Sequence, residues 1–303
     1  MFIRKSFLFI GLFIALGLIF ALHTYNSPPH PAREGKPLKV VASFTILKDF
    51  CEKITKGLPH IKIWAIVPPE ADPHSYQPTP LDSKILSKAD VIFINGLNFE
   101  KNVEKMIQSS GFGGKVYKVT GGVKTRPDLS DPHTWHDVQN AILYVKNIRD
   151  AFIKEDPDHR SIYQENGGDL IQILEQLDLW VKKTVQKVPL EKRVVVTTHD
   201  AFWYFGKAYD IQFLSPVGIT TEAEASAKDV ATLIDFIRDH NIKAIFVENL
   251  ASPRLIEQIA RETGRSLKGT LYADSLSASG GPAPHYASMI KHNVQTICKA
   301  LIE

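Results

Sequence analysis

The sequence is poor in cysteine and lacks the common nucleotide-binding and hydrolase motifs. Cys51 and Cys298 are the only two thiols in 303 residues, and so wide a separation excludes a cysteine-based metal motif. Each cysteine lies in an apolar helical pattern, so we expect two separately buried thiols, with a disulfide as the alternative. No GxGxxG, Walker A, HExxH or GxSxG pattern occurs, which argues against the nucleotide-binding and hydrolase classes that use these motifs.

Excess charge is also missing from the body of the chain. The full sequence has 36 Lys and Arg against 33 Asp and Glu, a formal charge of +3. Residues 1–36 account for this difference with Arg4, Lys5, Arg33 and Lys36 against Glu34, which leaves 32 charges of each sign in residues 37–303. A neutral body has no bulk electrostatic attraction to nucleic acid, so we expect no nucleic-acid partner.

The N-terminal segment is predicted to direct export. Arg4 and Lys5 precede an uncharged apolar run from Phe7 to Leu22, a pattern typical of a secretory signal. The run is shorter than the roughly 20 residues of a membrane-spanning helix, and no cysteine comes directly after it, so we expect no lipid-modified N-terminus. We expect a protein of the periplasm or extracytoplasmic face, with residues 1–36 forming a signal or anchor and a linker, either cleaved or retained.

Short β-branched runs alternate with longer amphipathic segments, and the cycle occurs twice. The predicted strands are residues 40–44, 61–66, 91–95, 116–119, 194–198, 212–214, 244–247 and 268–271. The predicted helices that accompany them are residues 47–55, 81–88, 99–109, 138–154, 202–209, 228–240, 253–263 and 286–301. This alternation predicts an α/β fold of two lobes, each with a parallel sheet covered by helices.

A long helical segment over residues 158–188 separates the two cycles. Apolar residues fall on one face at helical spacing, namely Leu170, Ile173, Leu174, Leu177 and Val181. A helix of this length would extend roughly 45 Å, although two adjacent glycines within it favour a kink. The predicted organisation is therefore an N-terminal lobe over residues 37–157, one long connecting helix, and a C-terminal lobe over residues 189–303.

Three histidines and one aspartate follow predicted strands at equivalent places. His74 follows the second strand, His133 the fourth, His199 the fifth, and Asp274 the last. Ligands of open parallel sheets bind at the carboxyl ends of strands, so all four side chains can meet in the cleft between the lobes. Three imidazoles and a carboxylate suit Zn²⁺ best, and Mn²⁺ or Fe²⁺ less well. Spacing alone leaves open the alternative that these are ordinary hydrogen-bonded polar residues.

Several motifs resemble one bacterial family over nearly the whole body of the chain. These motifs are DPHSYQPTP (72–80), ADVIFINGL (89–97), DPHTW (131–135), THDAFWYF (198–205), ENLASP (248–253) and LYADSL (271–276). Together they resemble the zinc/manganese-binding solute-binding proteins of bacterial metal ABC transporters, also called cluster A-I. The resemblance implies two α/β lobes joined by one long helix, with a metal held between the lobes.

The same resemblance implies a function, a set of ligands and a set of partners. It assigns His74, His133, His199 and Asp274 as metal ligands by matching motif positions. The implied function is high-affinity capture of a divalent transition metal outside the inner membrane and its delivery to an ABC permease with its ATPase. The protein would act as a monomer that meets the membrane only through its N-terminal segment or the permease.

The third ligand position bears on which metal is carried. Histidine at this position, here His199, is common in zinc carriers, whereas manganese carriers often have glutamate, so zinc is the expected metal with manganese or iron as the alternative.

Two further polar residues lie near the predicted cleft. Glu248 is expected either to orient a ligand imidazole or to precede the next helix as a structural carboxylate, and His136 is expected at the rim or surface.

Two further classes of function remain as alternatives to transport. A secreted metal-dependent hydrolase would use Asp274 as a base and Glu248 as its assistant, with water on the metal. A surface adhesin or metal buffer would bind the ion without a transporter. Four protein ligands would close the coordination shell and leave no position for a reactive water, so the sequence favours metal capture over catalysis.

Overall fold

A computed structural model describes residues 36–127 and 130–303. Residues Lys36–Glu303 form one compact unit. The predicted signal or anchor segment lies outside the described residues. Among the described residues, none of the helices has the length and apolar character needed to cross a membrane.

The strands form two parallel four-stranded sheets. Their bounds are β1 Leu38–Ala42, β2 Ile61–Ala65, β3 Val91–Ile94, β4 Lys115–Lys118, β5 Val194–Val196, β6 Gln212–Leu214, β7 Ile245–Glu248 and β8 Leu267–Leu271. The strand orders are β2-β1-β3-β4 and β6-β5-β7-β8, so in each sheet the order in which the chain adds strands reverses beside the first strand, while all strands stay parallel. The predicted parallel α/β fold is confirmed, and each predicted strand lies within two residues of an observed one.

Helices connect the strands and cover the sheets. Their bounds are α1 Thr45–Ile54, α2 Pro80–Leu86, α3 Lys101–Ser109, α4 Val138–Glu155, α5 Arg160–Val185, α6 Trp203–Tyr209, α7 Ala227–Asp239, α8 Arg254–Glu262 and α9 Tyr286–Ile302. Local signals fix several of these ends. Thr79 and Asp82 cap α2 reciprocally, with Pro80 as its first residue, and the hydroxyl of Ser226 accepts the backbone N–H of Asp229 at the start of α7.

The long helix α5 is continuous across its two glycines and follows a short 3₁₀ turn at Pro157–His159. Its 26 residues correspond to about 39 Å. Gly167 allows close packing against α4, because a Cβ at this position would lie 2.7 Å from Cδ of Arg149. Ile173 was predicted on the buried face but is 55% exposed, because the buried stripe follows its neighbours at positions 170, 174, 177 and 181.

The hydrophobic core extends from one sheet to the other. One cluster of buried residues includes Val41 of β1, Leu174 of α5 and Val195 of β5. A smaller cluster lies between the second sheet and helices α7 and α8, and includes Ile237 and Ile259. Cys51 and Cys298 are both free and buried, so the prediction of two separate thiols is confirmed.

Candidate metal centre

The four predicted site residues lie beyond the carboxyl ends of strands. His74 and His133 follow β2 and β4 of the first sheet, while His199 and Asp274 follow β5 and β8 of the second sheet. All four side chains are buried. Because every strand in each sheet is parallel, the loops that carry these residues lie on the same edge of their sheet, and the two edges face one cleft.

The ligand-type atoms of these four side chains meet within 4.8 Å of one another. Nε2 of His133 lies 3.1 Å from Nε2 of His74 and 3.4 Å from Nε2 of His199. The carboxylate of Asp274 lies 3.3 Å from Nε2 of His199, 3.4 Å from that of His133 and 3.7 Å from that of His74. Ligands about 2.1 Å from a tetrahedral metal are separated by about 3.4 Å, so this spacing fits one ion.

Two further carboxylates fix the orientation of two of the imidazoles. Nδ1 of His133 lies 2.8 Å from Oδ1 of Asp131, which also accepts the backbone N–H of His133. Nδ1 of His199 contacts Oε2 of Glu248, whose Oε1 accepts the backbone N–H groups of Thr198 and His199 at 2.8 and 3.0 Å. A carboxylate on Nδ1 places the proton there and leaves the Nε2 lone pair for a metal.

The electrostatics of the cleft favour a cation. Burial alone would raise the pKa of Asp274, but the imidazoles of His199 and His133 hold it below its usual range. Burial alone would lower the pKa of His199, but the carboxylates of Glu248 and Asp274 raise it well above its usual value. Burial lowers the pKa of His74 to about 4, with Asp274 opposing the shift. The carboxylates of Glu248 and Asp274 therefore favour positive charge in the cleft, such as that of a dication.

Contacts between the two sheets hold together the loops that carry these four residues. Nε1 of Trp135, two residues after His133, donates to the carbonyl of Ala273, which precedes Asp274. On the other side of Asp274, the backbone N–H of Leu276 donates to Oγ1 of Thr45 at 2.9 Å. Direct hydrogen bonds as well as the core thus link the loop of His133 and the loop of Asp274 across the two sheets.

The prediction that His136 lies at the rim or surface is wrong. Its side chain is fully buried, and its ring lies 4.4 Å from that of Phe202, centroid to centroid. Neither ring nitrogen has a hydrogen-bond partner among the described residues. Burial lowers the pKa of His136 to about 3, so the side chain is neutral. The turn that directs His133 into the cleft directs His136 into the core.

Other histidines have partners that the sequence did not reveal. His285 lies at the start of α9, and its Nδ1 is 3.0 Å from the carboxylate of Asp49. His60 and His159 both contact Asp156. No local signal marks this cluster, because 96 residues separate His60 from Asp156.

Comparison with known proteins places this fold and cleft in one family. Residues 40–300 match the family model of ZnuA, described as the periplasmic component A of a zinc-uptake complex. The chain belongs to this family. Membership confirms the resemblance inferred from the motifs and the predicted location outside the cytoplasmic membrane. Whether the N-terminal segment is cleaved or retained stays a prediction.

Individual members of the family are named for different metals. The chain is 34% identical over 277 residues to the iron-binding protein YfeA of Yersinia pestis, which covers 89% of this chain and 88% of that protein. It is 31% identical over 298 residues to the manganese ABC transporter substrate-binding lipoprotein PsaA of Streptococcus anginosus, covering 93% and 95%. The solved periplasmic zinc-binding protein TroA of Treponema pallidum superposes with a TM-score of 0.82 at 29% identity, covering 88% and 99%.

Proposed function

We propose that this protein captures Zn²⁺ outside the cytoplasmic membrane and delivers it, as a monomer, to an ABC permease driven by its ATPase. His74, His133, His199 and Asp274 would be the ligands. One observation carries the proposal: three imidazole nitrogens and a carboxylate from two lobes lie within 4.8 Å of one another in a buried cleft. The family to which the chain belongs supports the transport role.

The donor set supports zinc over manganese. Imidazole nitrogen suits Zn²⁺, whereas Mn²⁺ is better matched by carboxylate, carbonyl and water oxygens. Three of the four donors here are nitrogens, and their spacing of 3.1 to 3.4 Å fits a tetrahedral ion. The names of two relatives favour the alternative, since YfeA is called iron-binding and PsaA is called a manganese transporter protein.

The same arrangement supports capture rather than hydrolysis. A hydrolytic zinc site keeps one coordination position for water and needs a base beside it. Asp274 lies within 3.7 Å of all three imidazole nitrogens, where its oxygens would be ligands rather than a base. Glu248 already contacts Nδ1 of His199 and accepts two backbone N–H groups. Its carboxylate would therefore orient His199 rather than act as a base.

A competition titration of the purified protein tests the assignment. Metal is first removed with a chelator, and Zn²⁺ is then titrated in the presence of equal Mn²⁺ or Fe²⁺. We expect one tightly held equivalent of Zn²⁺ that neither rival displaces. Displacement of Zn²⁺ by Mn²⁺ or Fe²⁺ at equal concentration would make the zinc assignment wrong, and failure to bind any of the three ions would overturn metal capture itself.

Replacing Glu248 by glutamine tests the role of the carboxylate behind His199. The variant keeps the shape of the side chain but loses the charge that holds the Nδ1 proton in place. We expect zinc affinity to fall by about 10- to 100-fold, the usual cost of losing such a partner. Affinity is measured by competition with a fluorescent chelator, and unchanged affinity would assign Glu248 a structural role only.

Glu175→Gln is the matched control for this measurement. Glu175 lies exposed on α5, so the same chemical change is made far from the cleft. Its zinc affinity is expected to equal that of the wild type.

A further inference from the structure

A second group of metal-ligating side chains lies away from the cleft. Oδ2 of Asp156 is 3.1 Å from Nε2 of His60 and 2.9 Å from Nδ1 of His159. The two imidazole rings lie side by side, with centroids 4.4 Å apart and planes 32° apart. One nitrogen from each ring and one carboxylate oxygen thus fall within 4.8 Å of one another, as in the cleft.

This group is separate from the cleft site. His60 directly precedes β2, whereas His74 follows it. The five residues of β2 extend about 16 Å, so the two groups lie at opposite edges of the first sheet. The proposed transport function uses neither His60, Asp156 nor His159.

The backbone holds the three residues in place from different elements. The N–H of Asp156 donates to the carbonyl of Phe152 at the end of α4, and the N–H of His159 donates to the carbonyl of Asp156 in the turn before α5. The carbonyl of His60 accepts the N–H of Leu38 at the start of β1. Backbone hydrogen bonds to α4, within the turn before α5 and to β1 therefore hold the three residues close to one another.

Burial and charge differ across the group in a way that suits a metal. The side chain of Asp156 is 7% exposed, while those of His60 and His159 are 30% and 37% exposed. Tyr163 donates its hydroxyl to Oδ2 of Asp156 at 2.5 Å. Burial alone would raise the pKa of Asp156, but the hydrogen bonds from Tyr163, His159 and His60 lower it. An ionised, fixed carboxylate therefore lies beneath two imidazoles that solvent can reach.

We propose that His60, Asp156 and His159 form a second metal site, for a divalent ion that prefers imidazole nitrogen, such as Zn²⁺. The ion would take the lone pairs of His60 Nε2 and His159 Nδ1 and one carboxylate oxygen, with water in the remaining position. The ring nitrogen that does not face the ion would carry the imidazole proton. With three protein ligands instead of four and an open face, this site binds more weakly than the cleft.

Occupancy of this site would join three parts of the N-terminal lobe. His60 belongs to the loop before β2, Asp156 to the end of α4, and His159 to the start of the long helix α5. A bound ion would hold these elements together once the metal concentration exceeds what the cleft needs. The site would therefore respond to metal excess rather than to metal scarcity.

Calorimetric titration of Zn²⁺ into the metal-free, full-length protein tests the proposal. The wild type is expected to bind two equivalents, one tight and one weaker. His159→Gln is expected to weaken the second equivalent at least about tenfold and to leave the tight one unchanged. His240→Gln is the matched control, because His240 is exposed on the other lobe with its Nδ1 bonded to the carbonyl of Phe236; both equivalents should persist.

The outcomes separate this site from the proposed function. A single equivalent in the wild type, or a weak equivalent that His159→Gln leaves unchanged, would overturn the second site while leaving cleft binding intact. A wild-type crystal soaked in excess Zn²⁺ and measured at the zinc absorption edge requires no variant. An anomalous peak about 2.1 Å from both imidazole nitrogens supports the site, and the absence of a peak there rejects it.

Discussion

Replacement of His199 by alanine is expected to weaken Zn²⁺ binding at least about 100-fold, because losing a ligand exceeds the 10- to 100-fold cost of losing a ligand's partner. His199 supplies one of three converging nitrogens, and its Nε2 lies 3.3 Å from Asp274 and 3.4 Å from Nε2 of His133. The variant also leaves Glu248 without the imidazole it contacts. Competition with a chelator of known affinity measures the loss.

Two comparisons make this result interpretable. His240→Ala removes an exposed histidine of the same lobe and should leave the affinity unchanged. Circular dichroism establishes whether His199→Ala is folded, and His199→Gln provides a second variant that retains more side-chain volume beside Glu248. Wild-type affinity in a folded His199 variant would remove this residue from the site.

Removal of the metal is expected to lower the melting temperature by about 8 to 16 °C. A ligand present at 1,000 times its Kd stabilises the native state by about 4.1 kcal/mol, and each kcal/mol shifts the melting temperature of a protein of this size class by about 2–4 °C. The physical reason is that the folded chain alone brings three buried imidazole nitrogens to within 3.3 to 3.7 Å of the carboxylate of Asp274. An ion that binds this set and not the unfolded chain stabilises the native state.

Differential scanning calorimetry at buffered free Zn²⁺, compared with excess chelator, measures this shift. His199→Ala at the same free Zn²⁺ concentration should show a much smaller shift, because its cleft is not saturated. Equal melting temperatures with and without metal in the wild type would show that the ion does not bind the folded state preferentially. An equal shift in wild type and variant would place the stabilising ion outside the cleft.

The local pattern of the sequence was sufficient to predict the secondary structure. Period-two and period-3.6 apolar patterns depend only on near neighbours along the chain, and the predicted strands and helices agree with the observed ones within three residues. The same pattern placed His74, His133, His199 and Asp274 after strands. Parallel topology then brought their loops to one edge of each sheet, so their proximity could be expected from sequence.

The local pattern could not predict contacts between residues that are far apart along the chain. For Glu248 the sequence left two roles equally open, and only the packing of β7 beside β5 brings its carboxylate onto His199. His136 is a polar residue at a predicted helix start, which favours a surface position. The turn after His133 nevertheless directs its side chain into the core. Burial of a polar side chain is decided by the whole packing arrangement, which a local pattern does not encode.

The sequence by itself determined the class of fold and indicated which four side chains could share an ion. It also predicts an export signal. The tertiary structure alone decided how those side chains are oriented. The carboxylates of Asp131 and Glu248 contact Nδ1 of His133 and of His199, and these distances are set by packing. The tertiary structure also decided that His60 and Asp156 meet across 96 residues of chain. Periodicity along the chain specifies local elements, whereas a metal site depends on distances that exist only after those elements have packed.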